Sequence, residues 1–206
     1  PLPPPSRARA AILLDYEAEW TIGVQPHGAD FSYAVLARRF YTALRRLGLD
    51  VDVVRAGEDL SPYALVAVPT LPIVTAAAMT AFETCPGQVV FGPRTGSKTR
   101  DYHIPDGLPP GPLRSRFALK VVAAESVPPG LPDRVAWGNR DYPAGGWRDH
   151  VDTDLVPVAR FDDGAGAAFR DGNWHLLTLF PDERFLVDYL GAAAGVEAHR
   201  DLAARQ

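Results

Sequence analysis

The sequence predicts an α/β fold: a parallel sheet flanked by helices, with additional short antiparallel strands in the second half of the chain. Continuous apolar runs at 9–14 and 64–68 are typical of strands that are buried on both faces. Segments with helical periodicity lie between such runs, which indicates parallel strands joined by helical crossovers. From residue 119 onward, the helical segments give way to short strand patterns that are interrupted by turns.

The first half of the chain contains the clearest elements. A helix is expected over 30–47, with Asp30 as its N-cap and Gly48 directly after its end. One apolar face of this helix is formed by Tyr33, Leu36, Ala37, Phe40, Leu44 and Leu47. A second helix is expected over 76–84. Further strands are expected at 51–54, 64–68 and 88–91.

The second half is less regular. Residues 93–117 are rich in glycine, proline and charged side chains, and they are expected to form a long loop. A last helix is expected to begin near Pro181 and to end at Gly195. Between this loop and the last helix, strands are expected at 119–124, 134–137, 147–151, 156–161, 167–169 and 174–180.

The composition argues against several classes of function. Apolar residues make up 47% of the 206 residues, which is enough to fill a core. The formal net charge of −4, without a basic cluster, gives no reason to expect a nucleic-acid partner. No apolar run approaches the ~18 residues of a membrane span, so no membrane partner is expected. The single cysteine, Cys85, cannot form an internal disulfide, which favours a reducing, cytoplasmic location.

The two ends of the chain suggest its domain organisation. Residues 1–8 start at Pro1 and are rich in proline, which is typical of a stiff interdomain linker. A trimmed N-terminus is the alternative interpretation of this start. Residues 9–196 are expected to form the folded domain, and 197–206 a frayed C-terminal tail.

Open α/β sheets place their sites at the carboxyl ends of parallel strands, where this sequence predicts three loops. The loops are Asp15–Gly28, Pro69–Val74 and Gly92–His103. The third contains Gly-Ser-Lys-Thr and is superficially similar to a phosphate-binding loop. Ser97, however, separates the glycine from the lysine, and no strong helix follows, so the phosphate-loop pattern is not met.

The residues predict no catalytic site. Cys85 precedes a strand, whereas the nucleophile of an elbow motif directly follows one. The alternating Asp15, Glu17 and Glu19 could face one side of an extended segment, but we interpret them as a solvated strand end and not as a glycosidase carboxylate pair. The histidines lack metal-ligand spacing: His27, His103, His150, His175 and His199. No catalytic residue, metal ligand or cofactor is therefore predicted.

Several segments of the first half resemble a known family. The run Ala11–Glu17, followed by Trp20, is similar to the entry strand of the middle domain in glycoside hydrolase family 42 β-galactosidases. The likeness continues in order through 30–33, 39–41, 47–54, 60–66, 90–98 and 108–113. The second half matches more loosely, at the hairpin Gly172–His175 and in the final helix.

This resemblance implies a role that the residues alone do not. In the family, a (β/α)8 barrel precedes the middle domain and holds both catalytic glutamates. The middle domain has a flavodoxin-like fold, similar to the class I glutamine amidotransferases without their triad, and it mediates homotrimer formation. The resemblance thus implies a non-catalytic trimerisation domain of a retaining enzyme that hydrolyses terminal β-D-galactosides. The departure from the family is Cys85, where a small residue such as Ala or Gly is expected.

Three functions stay open at this point. The first is subunit assembly, and the second is small-molecule binding by a degenerate amidotransferase-like domain. In the third, the loops 16–28 and 93–106 shape the galactoside pocket of a barrel without performing chemistry. Side chains that could contact a pocket rim or an interface are Trp20, Arg94, Lys98 and His103.

Overall fold

The computed structural model describes residues 9–28, 31–128, 130–131 and 133–196. Within these residues, one mixed sheet of eleven strands carries four α-helices. The strands are β1 (Ala10–Leu13), β2 (Val51–Val54), β3 (Leu65–Val68), β4 (Gln88–Phe91), β5 (Leu119–Glu125), β6 (Asp133–Trp137), β7 (Arg140–Thr153), β8 (Ala159–Phe161), β9 (Gly166–Asp171), β10 (Trp174–Leu177) and β11 (Leu179–Pro181). The helices are α1 (Tyr16–Val24), α2 (Tyr33–Arg46), α3 (Ala76–Thr84) and α4 (Glu183–Ala194), and a 3₁₀ turn spans Gly111–Ser115. The predicted linker at 1–8, the predicted cap Asp30 and the predicted tail at 197–206 lie outside the described residues.

The sheet has a parallel half and an antiparallel half, as the sequence predicts. The strand order is β2-β1-β3-β4-β10-β9-β8-β6-β7-β11, and β5 pairs with β7. The first five strands in this order are mutually parallel. All pairings beyond β10 are antiparallel. The central strand β10 therefore joins the two halves, although it lies near the end of the chain.

Helices cover both faces of the parallel half. Successive side chains of a strand point to opposite faces, and β10 shows what lies on each side. The Trp174 ring packs edge-on at 6.3 Å from Phe82 of α3. The next residue, His175, packs edge-on at 5.5 Å from Tyr189 of α4. Because α3 and α4 cover opposite faces, β1, β3 and β10 are buried along their whole length.

Helix α2 buries the whole apolar face that the sequence predicts. It begins three residues later than expected, at Tyr33, because the Ser32 hydroxyl accepts a hydrogen bond from the Val35 amide and acts as the N-cap. It ends at Arg46, and Gly48 adopts the left-handed conformation (φ 72°) that typically follows a helix. Helix α3 spans 76–84, which matches the prediction.

The structure corrects the prediction for the segment after β1. Residues 16–24 form helix α1, whereas the sequence predicts a loop there. The Asp15 carboxylate accepts a hydrogen bond from the Ala18 amide at 2.8 Å and caps the helix. Glu17 and Glu19 are exposed in its first turn, so they do not alternate along an extended strand end. Their place at a helix N-terminus is favourable because the helix dipole is positive there.

Two strand boundaries also differ from the predictions. The expected strand at 147–151 is part of the fourteen-residue strand β7, which pairs with β5, β6 and β11. The expected strand at 174–180 is two strands, because the chain changes partners at Thr178. The Thr178 amide donates to Ala167 on one side, and its carbonyl accepts from the Asp149 amide on the other.

Candidate functional site

The three predicted loops meet at the carboxyl ends of the parallel strands. The Arg94 guanidinium, in the loop after β4, donates to the carbonyls of Gln25 (2.6 Å) and Pro26 (2.9 Å), which follow α1. The Thr95 hydroxyl accepts from the amide of Leu71 in the loop after β3, at 3.2 Å. These hydrogen bonds hold the loops in one fixed arrangement.

Arg94 is a buried cation. Only 6% of the residue is exposed, and its guanidinium carbon lies 4.7 Å from the ring centre of Phe31 and 4.8 Å from that of Trp147. A cation positioned over the face of an aromatic ring is stabilised electrostatically. Burial lowers the pKa of Arg94 to about 10, while the charge of Asp149 opposes that shift. The side chain therefore stays protonated at neutral pH. Its φ of 64° lies in the left-handed region, which is unusual for arginine.

Asp149 is the buried anion of the same cluster. The Trp147 indole donates a 2.8 Å hydrogen bond to its carboxylate, and the backbone amide of Arg94 donates another. Burial raises the pKa of Asp149 to about 6, although these hydrogen bonds and the Arg94 charge act in the opposite direction. Desolvation of the carboxylate thus outweighs its pairing. We name Phe31, Arg94, Trp147 and Asp149 the arginine cluster.

A cleft of about 400 Å³ lies beside the arginine cluster. Its polar side chains are His27, Arg94, Thr95, Ser97, Lys98, Ser126 and Asp149. Its apolar walls are formed by Ile104, Leu108, Pro109, Pro110, Val121, Val122, Ala123, Ala124, Trp147 and Leu176. Desolvation, followed by the positive charges of Arg94 and Lys98, lowers the pKa of His27. The cleft is therefore lined mostly by apolar side chains, and two cations, Arg94 and Lys98, line it together with the Asp149 carboxylate.

The structure brings some of the predicted contact residues together and separates others. Arg94 and Lys98 both line the cleft, as does His27. His103 is exposed beside a neighbouring groove, which it shares with Lys98. Trp20 does not line the cleft; it projects from α1 and is 65% exposed. A contact of these side chains with a barrel or a second subunit stays a prediction.

The glycine-rich loop after β4 has a packing role. A Cβ atom on Gly92 would overlap the carbonyl oxygen of Pro69, and one on Gly96 would overlap that of Pro110. Gly96 also has a φ of 68°, where glycine is favoured. No helix begins between this loop and the 3₁₀ turn at Gly111, so no converging helix amides are present to bind a phosphate.

Cys85 is an inert core thiol. It is 3% exposed at the end of α3, and its sulfur lies 3.6 Å from the Leu60 carbonyl. Burial raises the pKa of the Cys85 thiol, which disfavours the reactive thiolate. Its surroundings give no support for a nucleophile.

His175 is a buried neutral histidine on β10, and its ring packs against Tyr189 of α4. Its Nε2 lies 3.0 Å from the Gln88 side-chain oxygen, and its Nδ1 lies 2.9 Å from the Tyr189 hydroxyl. Burial lowers the pKa of His175 to about 4. With one nitrogen donating and one accepting, the neutral ring satisfies both partners, so its role is structural.

The sequence singles out Arg94 and Lys98, which line the cleft, but it does not single out His27 or Asp149. The spacing of Trp147 and Asp149 inside a predicted strand could have indicated Asp149, because residues two apart on a strand lie on the same face of the sheet. Within the described ranges, no group of three or more His, Cys, Asp or Glu side chains could hold a metal ion. None of the described helices is both long and apolar enough to span a bilayer.

The fold and the cleft define an α/β domain whose described residues contain no catalytic constellation. Residues 8–171 match the family model of the β-galactosidase trimerisation domain. Because this match covers most of the chain, the chain belongs to that family.

Similar proteins support the same assignment. A β-galactosidase from Thermus thermophilus is 47% identical over 199 residues, which are 95% of this chain and 31% of that protein. The crystal structure of a β-galactosidase from Marinomonas ef1 matches with a TM-score of 0.89 at 30% identity, over 95% of this chain and 30% of that one. The Halorubrum lacusprofundi β-galactosidase matches with a TM-score of 0.83 at 32% identity, over 93% of this chain and 31% of that one. The chain thus spans about a third of the length of each of these three proteins.

Proposed function

We propose that this domain joins three copies of a β-galactosidase into a homotrimer and leaves the chemistry to a barrel domain that precedes it in the chain. Membership of the trimerisation-domain family supports this role. The relatives, each matched over about a third of its length, are β-galactosidases, which supports a galactoside-hydrolysing parent. We also propose a cytoplasmic location, which the single buried thiol of Cys85 supports.

We further propose that the parallel half has the flavodoxin-like architecture found in class I glutamine amidotransferases. The observed order β2-β1-β3-β4-β10 supports this assignment. It corresponds to the order 2-1-3-4-5 of flavodoxin-like sheets when the parallel strands are numbered along the chain. Helices on both faces and loops that converge at the carboxyl ends of the strands fit the same architecture.

The exposed face of α1 is the observation that carries the assembly proposal. Tyr16, Trp20 and Val24 are spaced four residues apart, so they lie along one side of the helix. They are 74%, 65% and 77% exposed. The opposite side of α1, with Ala18, Thr21 and Ile22, is buried against the domain. A helix that is apolar on its outer face as well is typical of an element that is covered by a partner.

Trp20 is the residue on this face with the largest expected contribution. Tryptophan is enriched among interface residues that dominate binding energy, and truncation of such a residue costs about 2 kcal/mol or more. A stable interface buries about 800 Å² per partner, so the surface must extend beyond these three side chains. In a closed trimer, the face of α1 meets a different surface of the neighbouring subunit, because a three-fold contact is heterologous.

The experiment is to introduce Tyr16→Glu together with Trp20→Glu in the intact enzyme and to measure its mass by sedimentation velocity. We expect the mass to fall from that of a trimer to that of a monomer. The matched control is Tyr41→Glu, which changes an aromatic residue of α2 that is 43% exposed, and it should leave the trimer intact. An unchanged mass in the α1 variant, with a normal melting temperature, would exclude this face from the interface.

A further inference from the structure

The cleft beside the arginine cluster is lined by apolar side chains that are themselves exposed. Ile104, in the loop after β4, is 60% exposed, and Val122 on β5 is 55% exposed. Ala123 and Ala124 continue the same strand, line the cleft and are exposed as well. Exposed apolar side chains around a concave surface are typical of a site that a partner covers.

Other exposed apolar side chains of the described ranges have less suitable surroundings. Leu131 is 59% exposed, but it lines a groove together with two aspartates and two arginines. Val156 is 78% exposed in the segment between β7 and β8, and it does not line the cleft. The cleft is therefore the better candidate for a surface that receives an apolar partner.

The cleft adjoins the C-terminal end of α1. His27, which lines the cleft, follows three residues after Val24, the last exposed apolar residue of α1. The Arg94 guanidinium also lines the cleft, and it donates to both carbonyls between these two residues. Trp20 of the same copy does not line the cleft. Each copy thus has an apolar helix face next to an apolar cleft that this face does not fill.

The charges of the two surfaces are complementary. Glu17 and Glu19 are exposed on α1, which has no basic residue, and neither forms an ion pair with the part of the chain that the structure describes. In the cleft, the Asp149 carboxylate offsets the Arg94 cation, which leaves the charge of Lys98 uncompensated. Complementary charges favour and orient the contact of two surfaces.

We propose that the α1 face of one copy docks into the cleft of the next copy around the trimer. The Trp20 side chain packs against Ile104 and Val122 of the neighbour, and the acidic first turn of α1 approaches the neighbour's Lys98. This inference rests on the proposed trimer and names the surface that α1 meets there. Three such contacts close a ring, because each copy offers one helix face and one cleft.

The cleft has room for the indole ring of Trp20. Its volume of about 400 Å³ is within the range of sites that enclose drug-sized molecules, which are larger than an indole. The contact removes apolar surface from water on both copies, since Trp20 is 65% exposed and the cleft walls include exposed Ile104 and Val122. Burial of this surface favours association.

The first test combines two variants of the intact enzyme and measures their mass by sedimentation velocity. The α1 variant carries Tyr16→Glu and Trp20→Glu, and the cleft variant carries Ile104→Asp and Val122→Asp. Each variant alone should be monomeric, because every contact in a ring of identical copies then lacks one of its two surfaces. An equimolar mixture should form dimers and no trimers, because only the α1 face of the cleft variant and the cleft of the α1 variant are intact.

The matched control is Val156→Asp, which changes an exposed valine outside the cleft and should leave the trimer intact. A cleft variant that stays trimeric, with a normal melting temperature, would overturn this inference. That result is also expected if the barrel of the same chain occupies the cleft. The proposed assembly through α1 would then stand as long as the α1 variant dissociates, whereas an α1 variant that stays trimeric would contradict both proposals.

Charge reversal tests the same contact without removing apolar surface. Glu17→Lys together with Glu19→Lys, and separately Lys98→Glu, should each raise the concentration of half-dissociation of the trimer by about tenfold or more, because like charges then meet at every contact. Both changes in one chain should return this concentration to within about threefold of the parent enzyme. A mere loss of helix stability in α1 would not be reversed by Lys98→Glu. A combined variant that dissociates as readily as the single reversals would contradict the inference.

Discussion

The guanidinium of Arg94 lies 4.8 Å above the ring of Trp147, and the indole of that same tryptophan donates a hydrogen bond to Asp149. One aromatic side chain thus contacts both members of a buried charge pair. Because the guanidinium also holds the carbonyls that follow α1, the arginine cluster fixes the position of α1 relative to β4 and β7. The charges, aromatic contacts and hydrogen bonds of the arginine cluster depend on one another. The changes in unfolding free energy that single substitutions in the cluster cause should therefore not be additive.

Arg94→Met should destabilise the domain by about 3 kcal/mol, because it removes the hydrogen bonds to Gln25 and Pro26 and leaves Asp149 as a buried carboxylate without its cation. Arg94→Lys should recover only part of this loss, since lysine lacks the planar fork that spans both carbonyls. Urea unfolding measures both effects. The control Arg38→Met, on the exposed side of α2, should stay within about 0.5 kcal/mol of the parent chain. A similar small effect for Arg94→Met would contradict the structural role of the cluster.

Asp149 and His175 should affect the pH dependence of stability in opposite directions. The pKa of Asp149 is raised to about 6 in the folded state, so the folded state binds this proton more tightly than the unfolded state. As the pH falls from 6 to 4, this group therefore adds about 3 kcal/mol of stability. The pKa of His175 is lowered to about 4, so its contribution of similar size is lost as the pH falls from 6.5 to 4.

The measurement is the free energy of unfolding between pH 4 and 6.5 for the parent chain and two variants. Asp149→Asn removes the gain from Asp149, so its stability should fall more steeply than that of the parent as the pH is lowered. His175→Gln removes the opposite effect, so its stability should fall less steeply. The two variants serve as controls for each other, because carboxylates elsewhere contribute equally to all three profiles. Deviations of the same sign in both variants would show that these two groups do not titrate as described.

Gly92→Ala should destabilise the domain by about 1–3 kcal/mol, because the added methyl group overlaps the backbone oxygen of Pro69 and one of the two strand-end loops must shift. The control is Gly23→Ala in α1, where no atom lies within 4 Å of the added carbon. That change should be neutral or should stabilise by up to about 1 kcal/mol through helix propensity. Thermal unfolding of the two variants is the test. Equal melting temperatures would mean that the close approach of the two loops is not required.

Most of the parallel half of the fold could be predicted because the residues that begin and end its elements are close to them in the sequence. Helix α3 lies between a good N-cap, Thr75, and a following Pro-Gly pair, so its bounds could be read from the sequence. Helix α1 was not predictable in the same way. Its residues are largely β-branched or aromatic, with a glycine near its end, and such residues favour helices weakly. The helix forms because Asp15 caps it and because the domain covers its inner side.

The remaining differences between the predicted and the observed structure arise from contacts between residues that are far apart in the sequence. Strand β7 contains Pro143 and two glycines, which are unusual in a central strand, so only its segment 147–151 was predicted. It forms because three other strands pair with it in succession. Asp149 was missed for a related reason. An aspartate in a strand usually faces solvent, and only the folded chain places the Arg94 loop beside it.

The central position of β10 has a consequence for synthesis on the ribosome. Strand β4 leaves the ribosome early, but its partner β10 follows only after the entire antiparallel segment up to Asp171. The residues that match the family model also end at 171, directly before β10. A chain that stops there would leave β4 and β9 with facing, unpaired edges in the middle of the sheet, and such edges promote aggregation. The parallel and antiparallel halves of the sheet are therefore joined only after β10 has been synthesised.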